Sequence, residues 1–233
     1  MDKKIISILL TTFITIILSS LIICIGLFNV VKEERTVTVR GLSEREVYAD
    51  LVIWPLKFIT GSNNLSSLQE DIIYKTKVVT DFLKEYSLTE DDFTVLAPDI
   101  TDYSVDPYIN RSSIPYNFLA KTTVLIRTSK VELVKKAQSD SLVLAGRGIA
   151  VSHDYDSKIT YEFTKLNEIK PEMIAEATKN ARKVAEQFAH DSNSKVGKIK
   201  KASQGLFSIE DAAQGLEEKK NIRVVTSVEY SLK

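Results

Sequence analysis

The chain has 233 residues with 31 basic and 31 acidic side chains, so its formal net charge is zero. Nucleic-acid-binding proteins normally carry a basic excess or patch, and this balance argues against that class. The only cysteine is Cys24, so the chain has no internal disulfide and no thiolate metal site. It is long enough to bury a core as one domain, which packing alone must hold together.

An uncharged run, Ile5–Val31, opens the chain. As a helix it would reach about 40 Å, which exceeds the roughly 30 Å hydrocarbon core of a bilayer. A helix can cross a bilayer because it pairs its own backbone groups. We therefore predict a single transmembrane helix within residues 1–31, which anchors one domain formed by residues 32–233.

A cleaved secretory signal is the alternative, but its apolar core usually spans about 7–15 residues before a small-residue cleavage site. This run is longer, and Cys24-Ile25-Gly26 is its only passable cleavage site. A lipoprotein signal is rejected because Ile23, which is not small, precedes Cys24. Basic residues flank the run on both sides, so the positive-inside rule leaves its orientation open.

The first strands follow the anchor. Alternation predicts a strand at Thr36–Arg40 that ends at Gly41. Val47–Thr60 is apolar on both faces, which predicts a strand buried on two sides. Within that strand, Pro55 is expected at a bulge or an edge position.

Apolar residues at spacings of three and four then predict an amphipathic helix. A capping box near its start is expected from Ser66 and Gln69 or from Ser67 and Glu70. The apolar stripe consists of Leu65, Leu68, Ile72, Thr76, Val79, Leu83 and Tyr86.

The middle of the chain is predicted to form a long hairpin. Phe93–Tyr103 is expected to be a strand broken by Pro98, and Asp99–Asn117 carries the prolines, asparagine and serines of a hairpin tip. Phe118–Thr128 alternates again. One face of that strand is expected to carry Ala120, Thr122, Val124 and Ile126.

A second helix is predicted at Lys130–Leu144 and stops at Gly146-Arg147-Gly148, with a strand inside Ile149–Phe163. Pro171 suits the first turn of a third, alanine-rich helix that runs to about Ser192. The stripe expected to be buried against the sheet consists of Met173, Ala177, Ala181, Val184 and Phe188.

The chain is predicted to end with a strand at Val196–Phe207, a mobile loop at Ser208–Asn221 and a strand at Ile222–Leu232. The last strand should turn one face inward, formed by Ile222, Val224, Thr226, Val228 and Tyr230. The resulting order after the anchor is β-β-α-β-β-α-β-α-β-β. Neighbouring strands without helical crossovers favour antiparallel pairing, so the predicted fold class is α+β, an antiparallel sheet covered by helices.

We predict no catalytic, cofactor or metal site. His153-Asp154-Tyr155-Asp156 lacks further convergent ligands, because the other histidine, His190, falls near a helix end. Asp99, Asp102 and Asp106 lack the alternating pattern and the closing glutamate of a calcium loop. We interpret these acids as parts of a solvated turn and an exposed hairpin.

Three other motifs also favour structural roles. Gly41-Leu42-Ser43-Glu44-Arg45 begins like a nucleophile elbow but ends in arginine. A helix stop explains Gly146-Arg147-Gly148 better than a phosphate cradle does. Trp54 is expected in the core or on the sheet face rather than as a ligand platform.

Aromatic residues close to the hairpin tip form the candidate interface. Aromatic side chains near an exposed tip favour contact surfaces, and local packing is the alternative. The four residues are Tyr103, Tyr108, Tyr116 and Phe118.

Five segments carry a resemblance to a known family. They are TVTVRGLSEREVYADLVIWPLKF, NNLSSLQEDIIYKTKVVTDFLKEYSLTEDDFTVLAPDI, YNFLAKTTVLIRTSKVELVKK, ATKNARKVAEQFAHDSNSKVGKI and NIRVVTSVEYSL. In their order and spacing the chain resembles the SIMPL-domain family, the bacterial periplasmic immunogenic-protein and oxidative-stress-defence group. Family members often have a proline before the second strand and a glycine after the long helix, which this chain lacks. The resemblance implies an extracytoplasmic α+β domain that tends to self-assemble, without agreed catalytic residues.

These observations favour a non-enzymatic protein of the cell envelope, anchored by Ile5–Val31 and linked by the resemblance to stress tolerance. We expect it to act as a homo-oligomer or through a protein partner. The expected contacts are the Asp99–Asn117 hairpin and a sheet edge, for which the final strand and Phe118–Thr128 are candidates. If the final strand lies inside the sheet and the hairpin merely folds back, the domain would be a monomer. A hydrolase-like enzyme and a small-ligand carrier are the alternative functions.

Overall fold

The computed structural model describes residues 3–30, 35–105, 115–152 and 154–233, with the side chains of residues 10–24 in the first range. The chain divides into two compact units. The first unit contains residues 1–41, 177–205 and 226–233, and the second contains residues 42–176 and 206–225.

The described residues form α-helices and antiparallel strands, as an α+β fold requires. A short 3-10 turn at Tyr155–Ser157 precedes the sixth strand. In chain order the elements are α1 (Lys3–Val30), β1 (Thr36–Tyr48), β2 (Leu51–Ser62), α2 (Leu65–Glu85), β3 (Phe93–Val95), β4 (Asp99–Asp102), β5 (Phe118–Thr128), α3 (Val131–Ser139), α4 (Val143–Gly146), β6 (Thr160–Glu162), α5 (Leu166–Asp191), β7 (Val196–Gln204), β8 (Ser208–Asp211) and β9 (Lys219–Leu232).

Helix α1 covers most of the predicted anchor. Among the residues that the structure describes, no helix combines the length and the apolarity needed to cross a membrane. That finding does not support the predicted transmembrane helix, which stays a prediction from the sequence.

The second unit contains a five-stranded sheet in the order β3-β5-β2-β6, in which β4 also pairs with β5. Strands β2 and β5 form its longest ladder, from Val52 opposite Thr128 to Ser62 opposite Phe118. The alternating side chains of β5 point inward as predicted: Ala120, Thr122, Val124 and Ile126 are buried. A period of two places every second residue of a strand on the same face, so one buried face accounts for the pattern.

Helix α2 supplies much of the apolar core of this unit. Leu68, Val79, Phe82 and Leu83 are buried, and each contributes about 1.5–3 kcal/mol to folding if fully removed from water. The helix is capped by Asn64 rather than by the predicted serine boxes. The Oδ1 atom of Asn64 accepts hydrogen bonds from the backbone N–H groups of Ser66 and Ser67 at 2.8 and 3.1 Å.

Strand β2 differs from its prediction in its start and in its burial. It begins at Leu51, because Val47 belongs to β1. Only one face is fully buried, because residues such as Ile59 on the other face remain exposed. Pro55 pairs with Leu125 on β5, and the pairing with β6 ends at Ile53. Pro55 thus lies just beyond a short neighbouring ladder, a position compatible with the edge prediction, since proline cannot donate a ladder hydrogen bond.

Two predicted elements of the second unit are shorter than expected. The helix predicted at Lys130–Leu144 is split into α3 and α4, because the chain turns at Asp140, whose carboxylate accepts a 2.8 Å hydrogen bond from the Tyr86 hydroxyl. The strand predicted within Ile149–Phe163 is limited to β6 and an isolated bridge between Phe58 and Val151.

The first unit is built on the strand order β1-β9-β7. Its core combines one face of these strands with the second half of α5. The cluster consists of Val39, Ala181, Ala185, Val228 and Tyr230. The predicted inward face of the final strand is confirmed, because Ile222, Val224, Thr226, Val228 and Tyr230 are all buried.

The sequence predicts that the first strand ends at Gly41, and this prediction is wrong. Strand β1 continues to Tyr48, and Gly41 instead permits a close approach to α5. A Cβ atom at Gly41 would lie 1.9 Å from the carbonyl oxygen of Ala177 and 2.9 Å from the Cβ atom of Ala181. Only a residue without a side chain fits at this contact.

The buried stripe of α5 is only partly the predicted one. Met173, Ala177 and Ala181 are buried, but Val184 and Phe188 are 40% and 55% exposed. The stripe instead continues in steps of four through Ala185 and Ala189. Small side chains are required along this line because the helix packs closely on a strand.

The start of α5 was also misplaced, because Pro171 lies inside the helix rather than in its first turn. The carboxylate of Asp50 accepts hydrogen bonds from the backbone N–H groups of Thr164 and Lys165, at 2.8 and 3.2 Å, just before the helix begins at Leu166. A carboxylate at a helix N-terminus stabilises it. This partner is remote in the sequence, so local signals did not reveal the true start.

Three further expectations are wrong. The predicted mobile loop contains β8, which pairs with β9 from Ser208 opposite Arg223 to Asp211 opposite Lys220. The predicted single sheet is two sheets. The two candidate edge strands, β9 and β5, are both interior, because β9 lies between β1 and β7 and β5 lies between β2 and β3.

Candidate functional site

The second unit contains a cleft of about 510 Å³. Strand β2, helix α3, the segment around the 3-10 turn, strand β6 and the loop before β9 all contribute to it. Its lining includes Trp54, Lys135, Gln138, Ser152, Asp154, Tyr155, Lys158, Tyr161, Glu217 and Glu218. We call this feature the α3–β6 cleft.

Two aromatic residues form the buried part of the α3–β6 cleft. Trp54 is 4% exposed and Tyr161 is 6% exposed, and both belong to the hydrophobic core of the unit. Burial, together with the negative charges of Glu218 and Glu217, raises the pKa of Tyr161 to about 12. The phenol therefore stays protonated at neutral pH and can donate a hydrogen bond.

A salt bridge between Lys135 and Glu218 crosses one wall of the cleft. The hydrogen bond from Lys135 lowers the pKa of Glu218, and the same contact raises the pKa of Lys135. The carbonyl oxygen of Glu218 also accepts a 2.8 Å hydrogen bond from the backbone N–H of Ala49. Side chain and backbone of Glu218 are thus both held, so the wall is preorganised.

The rim beside the 3-10 turn carries the acids that we examined as metal ligands. Lys57 Nζ lies 4.0 Å from Asp154 Oδ1 and 3.8 Å from Asp156 Oδ2, so this lysine offsets part of their negative charge. His153 lies outside the described residues, and His190 is exposed on α5. Within the described ranges, no three His, Cys, Asp or Glu side chains converge as a metal-ligand group.

The hairpin acids occupy ordinary local positions. Asp99 and Asp102 lie in β4, where Asp102 Oδ1 accepts a 2.8 Å hydrogen bond from the backbone N–H of Ser104. Asp106 lies outside the described residues.

The glycine motifs have the structural roles that we favoured. Ser43 lies inside β1, and its buried hydroxyl donates a 2.9 Å hydrogen bond to Glu176 Oε2. Helix α4 ends at Gly146, and Gly148 has a positive φ of 80°. Arg147 between them makes a bidentate pair with Glu85 at 2.8 and 2.9 Å.

Three of the four candidate interface residues come together at the base of the hairpin. The backbone N–H of Tyr103 donates a 2.8 Å hydrogen bond to the carbonyl of Asn117, and Phe118 opens β5. The ring of Tyr116 lies against Gly61, where a Cβ atom would come within 2.3 Å of it. Tyr116 still leaves much of its surface exposed. Tyr108 lies outside the described residues.

Beside this hairpin base lies an apolar strip that sequence analysis did not single out. It consists of Val95, Leu96 and Ile100, all exposed, and we call it the β3–β4 edge. Strands β3 and β4 pair with β5 on one side, and no described strand pairs with their other side. Sequence patterns could not identify this edge, because strand order depends on tertiary pairing.

The α3–β6 cleft was missed for a similar reason. Its salt bridge joins residues 83 positions apart, and Glu217 and Glu218 fall in the segment predicted as a mobile loop. Trp54 was the one cleft residue that we weighed as a ligand platform. Its burial confirms the predicted core position, and Trp54 also lines the α3–β6 cleft.

The two antiparallel sheets and their helices define an α+β protein, and a comparison with protein-family models identifies the family. The model for SIMPL, described as a protein of unknown function (DUF541), matches residues 37–230. The chain therefore belongs to the SIMPL family. A comparison with curated proteins finds no match.

Proposed function

We propose that this SIMPL protein is a membrane-tethered component of the cell envelope that acts without catalysis, by self-association of its domain. The observation that carries the proposal is the β3–β4 edge, an exposed apolar strip whose outer side pairs with no described strand and which lies beside exposed aromatic area. Such edges pair readily with another chain, because their backbone N–H and C=O groups lack partners.

The composition of this edge favours association. Residues 93–102 contain no lysine or arginine, so the residues that could protect the edge are limited to Pro98, Asp99 and Asp102. Strand β7, an outer strand of the other sheet, is different. It carries Lys198, Lys200 and Lys201 and two irregularities in its pairing with β9, features that discourage edge-to-edge contacts. We therefore assign the contact to the β3–β4 edge and to the hairpin residues Tyr103, Tyr108, Tyr116 and Phe118.

The tether would strengthen a weak contact. Helix α1 has 28 residues and would extend about 42 Å, and its described apolar side chains are exposed. Confining chains to one plane raises their effective concentration without any new contact. The extracytoplasmic location and the link to stress tolerance rest on the family resemblance.

Disulfide trapping tests the contact directly. In a Cys24→Ser background, a Val95→Cys variant should form covalent dimers on mild oxidation in membranes. A Leu142→Cys variant is the control, because Leu142 is exposed on the turn before α4. Equal or absent cross-linking of the two variants would contradict the proposed contact.

The location needs its own test. An alkaline phosphatase fused after Lys233 should be active, because that enzyme works only after export. A fluorescent protein that matures only in the cytoplasm should stay dark at the same position. The reverse pattern would place the domain in the cytoplasm and overturn the proposed location.

A small-ligand carrier is the second candidate function. The α3–β6 cleft supports it, because the cleft has the size of a small-molecule pocket, about 300–1,000 Å³, and combines aromatic with polar groups. A single ligand per chain in the purified protein would favour the carrier over the assembly module.

A further inference from the structure

We propose that the α3–β6 cleft is a binding site for an uncharged, hydroxyl-rich ligand, namely a saccharide. The inference is independent of self-association and of the membrane tether. It rests on the unpaired polar groups inside the cleft and on the mixture of groups around them.

Two buried donors in the cleft lack a partner. The indole N–H of Trp54 and the hydroxyl of Tyr161 make no hydrogen bond within the described part of the chain. Among the described residues, the polar side-chain atoms that are sealed from solvent and lack a partner are the hydroxyls of Thr60, Thr122 and Thr226. The Trp54 N–H and the Tyr161 hydroxyl do not belong to this group. Both donor atoms therefore keep some contact with solvent, and both residues line the cleft. Buried Trp and Tyr side chains usually find a partner, so a ligand acceptor would complete them.

Acceptors line the same cleft. Glu217 Oε1 accepts a 3.2 Å hydrogen bond from the backbone N–H of Gly215, and its other oxygen has no partner among the described residues. The carboxylate of Glu218 is occupied by Lys135, so the charge of that wall is balanced. The cleft thus offers a free acceptor beside two free donors.

The combination of free donors and a free acceptor indicates the chemical class of the ligand. A carboxylate ligand could pair with Lys158 at the cleft lining, but it can only accept hydrogen bonds and would leave the free Glu217 oxygen without a donor. An ammonium ligand can only donate, and it would leave the Trp54 and Tyr161 donors unpaired at a cost of about 1–3 kcal/mol each. A hydroxyl group both donates and accepts hydrogen bonds, so an uncharged polyol can pair with the Trp54 and Tyr161 donors and with the Glu217 acceptor.

The aromatic surfaces favour a ring-shaped polyol over an open chain. Tyr155 at the rim is 93% exposed and presents an aromatic face, whereas Trp54 and Tyr161, at 4% and 6% exposure, contribute their donor atoms rather than a ring face. Aromatic side chains give a large apolar surface together with a polar tip. The apolar C–H face of a sugar ring can rest on such a surface while its hydroxyl groups reach Gln138, Ser152 and Glu217.

Trp54 provides a local reporter, because it is the only tryptophan in the chain. The full chain, held in a polyoxyethylene detergent without a sugar headgroup, is titrated with maltose, N,N′-diacetylchitobiose or methyl α-glucoside. Succinate and putrescine serve as charged comparison ligands. We expect a saturable change in Trp54 emission with at least one saccharide, half-complete at about 1 mM, a typical weak affinity. The charged ligands should cause no saturable change.

Two variants separate a built site from nonspecific quenching. Tyr161→Phe removes only the free hydroxyl, and Glu217→Gln keeps the shape of the free acceptor but removes its charge. Each should weaken binding by about fivefold, the effect of one hydrogen bond. Tyr230→Phe removes a buried tyrosine hydroxyl from the first unit and should bind as the unaltered chain does.

The proposal is overturned if no saccharide gives a saturable change up to about 50 mM, a concentration far above any specific affinity of this kind. It is also overturned if a charged comparison ligand binds and the saccharides do not, or if both cleft variants bind with unaltered affinity. If circular dichroism shows that Tyr161→Phe does not fold, Glu217→Gln alone decides the outcome.

Discussion

Thr128 at the end of β5 donates a 2.6 Å hydrogen bond from Oγ1 to Oδ1 of Asp92, just before β3. The other carboxylate oxygen of Asp92 accepts from the backbone N–H and hydroxyl of Thr89 at 2.7 and 3.0 Å, and from Lys130 Nζ at 2.6 Å. One buried carboxylate therefore ties the start of β3 to the end of β5, which supports the outer strand of the five-stranded sheet.

We predict that this network makes folding sensitive to acid. Burial alone would raise the pKa of Asp92, but the hydrogen bonds from Lys130, Thr128 and Thr89 outweigh it and hold the pKa well below the usual range. The folded-state pKa is thus lower than the unfolded value of about 3.9. The stabilisation is fully present above that unfolded pKa and is lost as the pH falls through the folded one.

Thermal unfolding from pH 7 to pH 2 checks this prediction. Asp92→Asn should lower the free energy of unfolding at pH 7 by about 2 kcal/mol, because it removes charge-assisted hydrogen bonds. It should also flatten the acid limb of the pH profile. Asp91→Asn, at an exposed neighbour, should leave both unchanged. Parallel profiles for the two variants would contradict the assigned role of Asp92.

Gly41 gives a second prediction. Gly41→Ala should destabilise the chain by at least about 2 kcal/mol, because the added Cβ atom would overlap backbone atoms of α5. Gly146→Ala is the matched control, since a Cβ atom there meets nothing within 4 Å. The control should be neutral or slightly stabilising, because alanine is the better helix former. Denaturant unfolding of both variants decides, and a tolerated Gly41→Ala would disprove the close contact.

A third prediction concerns an unpaired hydroxyl in the sheet. The Oγ1 atom of Thr122 is sealed from solvent and lacks a hydrogen-bond partner in the part of the chain that the structure describes. Thr122→Val replaces it with a methyl group of similar size and should stabilise the chain by about 1 kcal/mol. Thr123→Val, on the opposite face of β5, should change stability much less. A destabilised Thr122→Val variant would reveal a partner for this hydroxyl.

A fourth prediction contrasts two phenylalanines. Phe82→Ala should cost about 3–5 kcal/mol, because Phe82 is fully buried in the second unit. Phe188→Ala should cost less than about 1 kcal/mol, because this side chain is largely exposed. Melting temperatures measured under one condition test the pair. Similar losses would mean that Phe188 is covered in the folded protein.

The contrast between Phe188 and the strands shows what the sequence could predict. In β5 and β9 a period of two gives one inward face, and alternation was sufficient to identify Ala120 or Val228 as buried. In α5 the apolar pattern allowed a step of three or of four after Ala181. The choice depended on close packing near Gly41, which is a tertiary contact.

Partners distant in the chain explain the remaining misses. Asp50 caps the start of α5 from 114 residues away, and Lys135 meets Glu218 from 83 residues away. No local sequence motif predicts either contact. The proximity of Tyr103, Tyr116 and Phe118 could be predicted because they flank one hairpin, whereas the neighbouring β3–β4 edge depended on the order of strands in the sheet.

The molar mass of the full chain in detergent, measured by light scattering after size-exclusion chromatography and corrected for bound detergent, tests self-association most directly. We expect oligomers at about 100 μM, a concentration that a tether would readily exceed locally. Ile100→Lys should shift them towards monomers, because a charge at the β3–β4 edge would lose its water unpaired. Ile73→Lys, at a still more exposed isoleucine on α2, should leave them intact. A chain that stays monomeric at this concentration, or oligomers that Ile100→Lys does not change, would contradict self-association through the β3–β4 edge.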